Sequence, residues 1–325
     1  MIECLSNPAW ISPQTDFLLF LQNIRLNNPE VLDKFFLSVT VFGEYWLPTI
    51  LCAIIYWCVD FRAGIYLFTV EGSNIIFAQL FKMVACVYRP WILDNRIQPS
   101  KLAVAFAKGY SFPSGHSAMS ASVWGGMAYL LRTKKILVLL FIGLFLLVGF
   151  SRMWLGVHTP QDVVCGLLIG IVFVFAVNPV INWAEKDKNR YLYLLVGINI
   201  FTILALIFIS CFNTYRMDYV DGELLVDPKR LMYHTSILCS YSLGLINGCF
   251  LCRRFCPFNP ADTPVKQRVI RAVLGSSCII LMLKFIFEYT IMNKINSVAA
   301  ILIMFLIGIS VTLFYPLIFT KLKKI

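Results

Sequence analysis

Long uninterrupted apolar runs set the pattern of this chain, and polar positions fall between them in short clusters. The runs lie near 36–59, 63–87, 116–131, 136–151, 162–183, 191–211, 231–251, 271–290 and 297–319. About 20 residues of helix cross the hydrocarbon core of a bilayer. Backbone groups inside lipid must bond to one another, so each run is predicted to be a helix. Continuous apolarity, without period-two alternation, excludes a closed barrel. The predicted fold class is therefore all-α, a polytopic membrane helix bundle. Residues 17–24 are apolar but too few to span, which predicts an interfacial or partly buried helix there.

Composition agrees with this picture. Hydrophobic residues make up 59% of the chain and charged residues 14%, against roughly 45–50% and about 25% in soluble domains. No secretory signal is read at Met1-Ile2-Glu3-Cys4, which lacks a basic start followed by an apolar stretch. The formal net charge of +11 has a topological reading. If the spans alternate in direction, one set of loops holds Arg62, Arg132, Lys134, Lys135, the 186–190 cluster, Arg253 to Arg271 and the lysine-rich end. The opposite loops hold Asp94, Asp218, Asp221, Glu223 and Asp227. Under the positive-inside rule the basic set is cytoplasmic, and no nucleic-acid partner is needed to explain the charge. Segments 88–114, 152–161 and 212–230 then share the non-cytoplasmic side with the N-terminus.

The cysteines fall mostly inside the apolar runs, as small packing residues and not as a disulfide framework. Cys249, Cys252 and Cys256 cluster at a predicted helix end, but no histidine or fourth ligand lies near them in sequence, so no metal is expected.

Three stretches gather basic residues and histidines where a membrane chain should avoid them. Lys82 and Arg89 are seven residues apart at the outer end of one run, close to two helical turns, which predicts that they share a helix face. Pro90 is a natural stop for that helix. Lys82 alone reads as a snorkelling lysine; with Arg89 beside it the pair is a candidate anion site. Pro113-Ser114-Gly115-His116 precedes another run. Ser114 suits a helix cap, and Gly115 leaves backbone N–H groups open to an anion at the helix start. The tetrapeptide by itself reads equally well as a capped turn. In Ser151-Arg152 and His158-Thr159-Pro160-Gln161-Asp162, Thr159 reads as a cap and Pro160 as the first helical residue. Asp162, four residues after His158, is placed to accept a proton from one ring nitrogen and leave the other nucleophilic. Alone, it would also serve as a carboxylate complementing the helix dipole.

Together, Lys-x6-Arg-Pro, Pro-Ser-Gly-His and Ser-Arg-x5-His-x3-Asp are present without a departure. Over about residues 36–183 the chain resembles the type 2 phosphatidic acid phosphatase superfamily, which also includes glucose-6-phosphatases and vanadium haloperoxidases. The stretch Ser151 to Pro160 is most similar to bacterial lipid phosphatases and sphingosine-1-phosphate phosphatases. The resemblance implies an N-terminal interfacial segment at 1–34, a histidine-phosphatase core at 35–185 and an additional transmembrane bundle at 186–325. It implies that His158 attacks phosphorus to form a phosphohistidine and that Asp162 sets the tautomer of His158. It further implies that His116 protonates the leaving oxygen and then activates water. Lys82, Arg89, Ser114, Gly115 and Arg152 would hold the phosphate oxygens. Three cations take the place of magnesium, so neither metal nor other cofactor is expected. The implied partners are a phosphorylated lipid substrate and membrane lipids, and the implied location is a bacterial plasma membrane with the site facing outside.

The last four runs carry no motif. They are open to shaping a lipid entry path, forming a homodimer contact or transporting lipid, ranked in that order. Glu44 and Glu71 fall within runs, and Glu71 is three helical turns from Lys82, which allows it the same interior groove. Lys284 and Glu288, one turn apart, read as a mutually neutralising pair. His234 belongs to no motif and reads as an ordinary interfacial histidine. Two other functions compete with lipid phosphatase: a lipid transporter or flippase using the core as a binding site, and a phosphatase of a soluble sugar phosphate. A haloperoxidase ranks last, because that branch is mostly soluble.

Overall fold

The computed structural model describes residues 8–104, 107, 109–213, 215, 217–220, 223–290 and 297–322, with side chains except at 8–10, 29–30, 188, 220, 223, 284–290, 297 and 322. The apolar runs form helices, as predicted. In chain order these are α1 Pro8–Asn27, α2 Pro29–Thr40, a 3-10 turn Val41–Gly43, α3 Trp46–Cys58, α4 Phe61–Ala85, and the short α5 Pro90–Leu93 and α6 Lys101–Val104. They continue with α7 Gly115–Leu130, α8 Lys135–Trp154, α9 Pro160–Glu185, α10 Lys188–Phe212, α11 Pro228–Phe255, α12 Val265–Thr290, α13 Ser297–Ile309 and α14 Tyr315–Leu322. A single antiparallel pair, Tyr219–Val220 with Glu223–Leu224, interrupts the helices among the described residues.

Six helical stretches are long and apolar enough to cross a membrane among the described residues: Phe61–Leu93, Lys135–Trp154, Pro160–Glu185, Asn189–Phe212, Pro228–Phe255 and Val298–Lys321. The protein is a multi-pass membrane protein. Two predicted spans have a distinct local form, and the first of them, as the bent pair Val31–Gly43 and Trp46–Cys58, is a seventh candidate span. The run 36–59 is divided, because α2 ends at Thr40 and a 3-10 turn intervenes before α3. The run 116–131 forms α7, whose 16 residues reach about 24 Å at 1.5 Å per residue, short of a hydrocarbon core of about 30 Å. Most of its side chains are buried, and many are small, among them Ser117, Ala118, Ser120, Ala121 and Ser122. It is a core helix of the bundle. The side chains of Lys284 and Glu288 lie outside the described residues.

The chain forms two compact units. The first comprises Met1–Glu44, Phe77–Val172 and Ala205–Thr235; the second comprises Tyr45–Ile76, Phe173–Leu204 and Ser236–Ile325. In the first, α7 lies along α8, and α2 packs on α8. The start of α9 approaches α7 closely: a Cβ on Gly166 would stand 2.5 Å from the Ser114 carbonyl, and one on Gly170 would stand 2.6 Å from the Ala118 carbonyl. Gly166 and Gly170 form a Gly-x3-Gly pair, the spacing that lets membrane helices touch backbone to backbone. Helix α1 covers the predicted 17–24 run, with Leu18 and Leu21 buried and Phe20 and Leu26 exposed.

In the second unit a π-helical turn at Ser310–Phe314 opens the backbone ladder between α13 and α14. Freed carbonyls need donors in an apolar interior. The Val311 carbonyl accepts from Trp57 Nε1 (3.0 Å) and the Thr312 carbonyl from Tyr56 Oη (2.9 Å). Glu71 is fully buried and accepts a hydrogen bond from the Thr49 hydroxyl of this same unit. Arg62 and Arg253, which the charge pattern assigned to one set of loops, both pair with Glu185.

Candidate active site

The three motifs converge within the first unit, though not by the route their spacing suggests. Helix α4 stops at Ala85, where Cys86 takes φ 49° and its N–H bonds the Lys82 carbonyl. Arg89 sits beyond this turn in extended backbone, at φ −68° and ψ 153°. Lys82 and Arg89 therefore do not share a helix face. Their separation is absorbed by a turn that redirects the chain, so the two cations reach different neighbours. Lys82 Nζ donates to the carbonyls of Tyr110 (3.0 Å), Ser111 (3.4 Å) and Pro113 (2.9 Å). Arg89 donates to the carbonyls of Gly109 (3.1 Å) and Val157 (2.9 Å), and its Nη1 lies 2.9 Å from His158 Nε2.

The Arg-x5-His spacing has a local cause. Helix α8 ends in a paired closure: Val157 N–H bonds the Arg152 carbonyl (3.1 Å) and Gly156 N–H bonds the Met153 carbonyl (2.9 Å). This is the left-handed helix ending that glycine favours, and Gly156 has φ +71°. The chain then reverses, so that Arg152 in the last turn and His158 after it face a common region. A Cβ on Gly156 would also stand 3.1 Å from Pro99 Cα. Gly156→Ala is expected to cost about 1–2 kcal/mol for the left-handed backbone alone. The check is thermal unfolding in detergent alongside phosphate release; an unchanged Tm would contradict this account of the spacing.

After His158, Thr159 caps α9 as expected. Asp162 N–H reaches Thr159 Oγ1 (3.4 Å), and Thr159 N–H reaches Asp162 Oδ2 (2.8 Å), the reciprocal pattern of a capping box. The same Asp162 oxygen lies 3.4 Å from His158 Nδ1 and accepts from Ser111 Oγ. Ser111 Oγ is itself 3.3 Å from His158 Nδ1. His158 is 2% exposed and Asp162 fully buried. Burial, followed by the charges of Arg89, Arg152, Lys82 and His116, holds the His158 imidazole well below its ordinary value of 6.5. The residues that act on this ring come from all three motifs.

Ser114 caps α7, its Oγ accepting from Ser117 N–H (3.4 Å) and Ser117 Oγ (2.8 Å). Its own N–H bonds the Asp162 carbonyl (2.9 Å), which ties the start of α7 to the start of α9. Gly115 and His116 form the first turn and are half-buried. Arg152 is 3% exposed; Nη1 donates to Thr40 Oγ1 (2.7 Å), while Nε is buried without a protein partner.

Sequence reasoning missed several supporting residues. Ser111 and Thr40 stand outside every motif and carry no sequence signal of their own. Gly166 and Gly170 did carry one, a Gly-x3-Gly pair in an apolar helix. The loop after α10 also belongs here: Asn213 Nδ2 bonds the Met83 carbonyl (2.7 Å), and Tyr88 Oη bonds Asp218 (2.6 Å). Segments 88–114, 152–161 and 212–230 thus come into contact, through Arg89 with the Val157 carbonyl and Tyr88 with Asp218. Cys249, Cys252 and Cys256 are buried, with Cys256 Sγ 3.0 Å from Cys252 Sγ. Among the described residues no group of three or more His, Cys, Asp or Glu is arranged to hold a metal.

A family model described as PAP2 superfamily matches residues 63–186, and one described as PAP2 superfamily phosphatase, transmembrane extension, matches 237–324. The second covers helices in which no motif was found. The chain is 30% identical over 149 residues to an undecaprenyl-diphosphatase of Sulfolobus acidocaldarius, covering 45% of this chain and 69% of that one. It is 29% identical over 138 residues to phosphatidylglycerophosphatase B of Bacillus subtilis, covering 39% of this chain and 66% of that relative. It is 25% identical over 235 residues to a probable sphingosine-1-phosphate phosphatase of Dictyostelium discoideum, covering 68% of this chain and 54% of that one. Among solved structures, a transmembrane PAP2 type phosphatidylglycerolphosphate phosphatase from Bacillus subtilis is similar at 24% identity and a TM-score of 0.45, covering 57% of this chain and 90% of that one.

Proposed function

This chain belongs to the PAP2 superfamily of membrane phosphatases, and from that premise we propose that it hydrolyses a lipid phosphate monoester or diphosphate through a phosphohistidine on His158. One observation carries the reading. The two ring nitrogens of a buried histidine lie between a carboxylate and a guanidinium, Nδ1 at 3.4 Å from Asp162 and Nε2 at 2.9 Å from Arg89. Arginine is only a donor, so Nε2 presents a lone pair and the proton is on Nδ1. A lowered imidazole pKa keeps that lone pair unprotonated, and Arg89 holds it by a hydrogen bond until a phosphate takes the guanidinium.

Nε2 attacks phosphorus in line, and the bond to the leaving lipid oxygen breaks as His116 donates a proton to it. His116 then takes a proton from water, which adds to phosphorus and breaks the P–N bond. Lys82, Arg89 and Arg152 supply positive charge to the five-coordinate transition state, with Ser114 and the Gly115 N–H as further donors. The buried Arg152 Nε without a protein partner suits a phosphate oxygen. Three cations do the work that magnesium does in many phosphoryl-transfer sites, so no metal enters the scheme.

A lipid substrate fits a site built into a membrane bundle, and the relatives named above are called phosphatases of lipid phosphates and diphosphates. The positive-inside pattern supports a site on the non-cytoplasmic face, in a bacterial plasma membrane. The test is phosphate release from undecaprenyl diphosphate, phosphatidate, phosphatidylglycerol phosphate, sphingosine-1-phosphate and glucose-6-phosphate, each with and without EDTA. Activity is expected on at least one lipid, undiminished by EDTA and inhibited by vanadate, which copies the five-coordinate geometry. Hydrolysis of glucose-6-phosphate alone would overturn the lipid assignment, and loss on chelation with recovery in magnesium would overturn the metal-free scheme.

A further inference from the structure

Ser111 lies outside all three motifs, yet it is fully buried and touches both members of the Asp162–His158 pair. Its place is set by backbone on both sides: Ser111 N–H bonds the Val87 carbonyl (2.7 Å), and its own carbonyl accepts from Lys82 (3.4 Å). Each hydrogen in this corner has an assignable position. The Asp162 carboxylate is an acceptor, so Ser111 gives its one hydrogen to Oδ2. The Ser111 oxygen then faces His158 Nδ1 at 3.3 Å with only lone pairs to offer, and Nδ1 must bring the hydrogen. The contacts from Nδ1 to the Ser111 hydroxyl (3.3 Å) and to Asp162 (3.4 Å) are both long, so Nδ1–H is shared between the carboxylate and the hydroxyl bonded to it. On the other side of the ring, Arg89 requires a lone pair on Nε2.

We propose that Ser111 is a positioning residue that links Asp162 to His158, holding the proton on Nδ1 and so directing the lone pair of Nε2 toward the phosphorus. Lys82 acts on the same link from behind, because its ammonium clamps the carbonyls on either side of Phe112 and keeps Ser111 facing the ring. This inference rests on the reading of His158 as the nucleophile.

The test uses the full-length protein in detergent with dioctanoyl phosphatidate as the probe, comparing wild type with Ser111→Ala, Ser111→Cys, Ser111→Thr and His158→Ala. Loss of one hydrogen bond to a charged group predicts a kcat about 10- to 100-fold lower in Ser111→Ala, with KM within about twofold because the serine does not touch the phosphate. Ser111→Cys preserves the shape with a weak donor and should fall between wild type and alanine; Ser111→Thr keeps the hydroxyl and should recover most of the rate. A pH profile separates positioning from packing. The charged and titratable groups facing His158 are Asp162, Arg89, Arg152, Lys82 and His116, and none of them is altered in these variants. With the Ser111 hydrogen gone, Asp162 Oδ2 keeps only the Thr159 N–H as a competing donor, becomes a stronger acceptor for Nδ1–H and favours the protonated ring, so the acid limb of kcat/KM moves to higher pH.

Full activity and an unmoved acid limb in both Ser111→Ala and Ser111→Cys would overturn the inference. So would a threonine variant no better than alanine with the same unfolding temperature. If the alanine variant fails to fold, the cysteine variant decides. His158→Ala separates the two claims: if it still hydrolyses the probe, the nucleophile reading falls, whereas an inactive His158→Ala beside an unaffected serine series removes Ser111 alone.

Discussion

His158→Ala is expected to leave a folded membrane protein whose phosphate release falls by on the order of 10^4-fold or more, in line with the loss of a nucleophile in other covalent enzymes. The loss is large because nothing else in the site can take over. Asp162 is engaged by Ser111 and by the Thr159 N–H, and the half-buried His116 sits in the first turn of α7, where the proposed scheme assigns it to the leaving group. Folding should survive, since the capping box at Thr159 and Asp162 and the close approach of Gly166 to α7 hold the start of α9 without the imidazole. Phosphate release, unfolding temperature and elution volume of the purified variant together check this. Residual turnover above about one hundredth of wild type, far more than such a loss leaves, would mean that water attacks phosphorus directly.

The second large effect is expected at His116. General acid and base catalysis contributes about 10^2- to 10^4-fold, and in the proposed scheme one residue serves both half-reactions. His116→Asn should slow a lipid substrate, whose alkoxide needs a proton, far more than p-nitrophenyl phosphate, whose leaving group does not. With p-nitrophenyl phosphate, dephosphorylation becomes the slow step. One equivalent of nitrophenol should appear in a burst, accompanied by an acid-labile, base-stable phosphoprotein. Equal losses on both substrates with no burst would take His116 out of the proton path and leave it a binding role. The same variant thus tests the covalent intermediate and the acid separately.

Much of the site was legible because its residue types are costly in a membrane and their spacing is tied to helix ends. Thr159-Pro160 announces the start of α9 by capping chemistry alone, and Ser114 does the same for α7. Asp162 falls three residues after its cap, where a carboxylate bonds the backbone whatever the tertiary structure does. The Lys82–Arg89 spacing misled, because seven residues read as two helical turns while the chain in fact leaves the helix at Cys86. A non-glycine residue in left-handed backbone has no composition signature. Around Cys86 the bonds are its N–H to the Lys82 carbonyl and the reach of Asn213, remote in sequence, to the Met83 carbonyl and to Cys86 Sγ.

The length of each apolar run decides whether a segment is a helix that lipid tolerates, and caps decide where it begins; both are local and were written in the order of residues. Ser111 and Thr40 became visible only in three dimensions. Each holds a motif residue from an element remote in sequence, Ser111 bridging to His158 across 47 positions and Thr40 bonding Arg152 across 112. A hydroxyl has no pattern that distinguishes a bridge from an ordinary buried serine or threonine. The same is true of the burial of α7, which the run of residues leaves open, since burial on all sides by neighbouring helices and burial by lipid select the same apolar and small side chains.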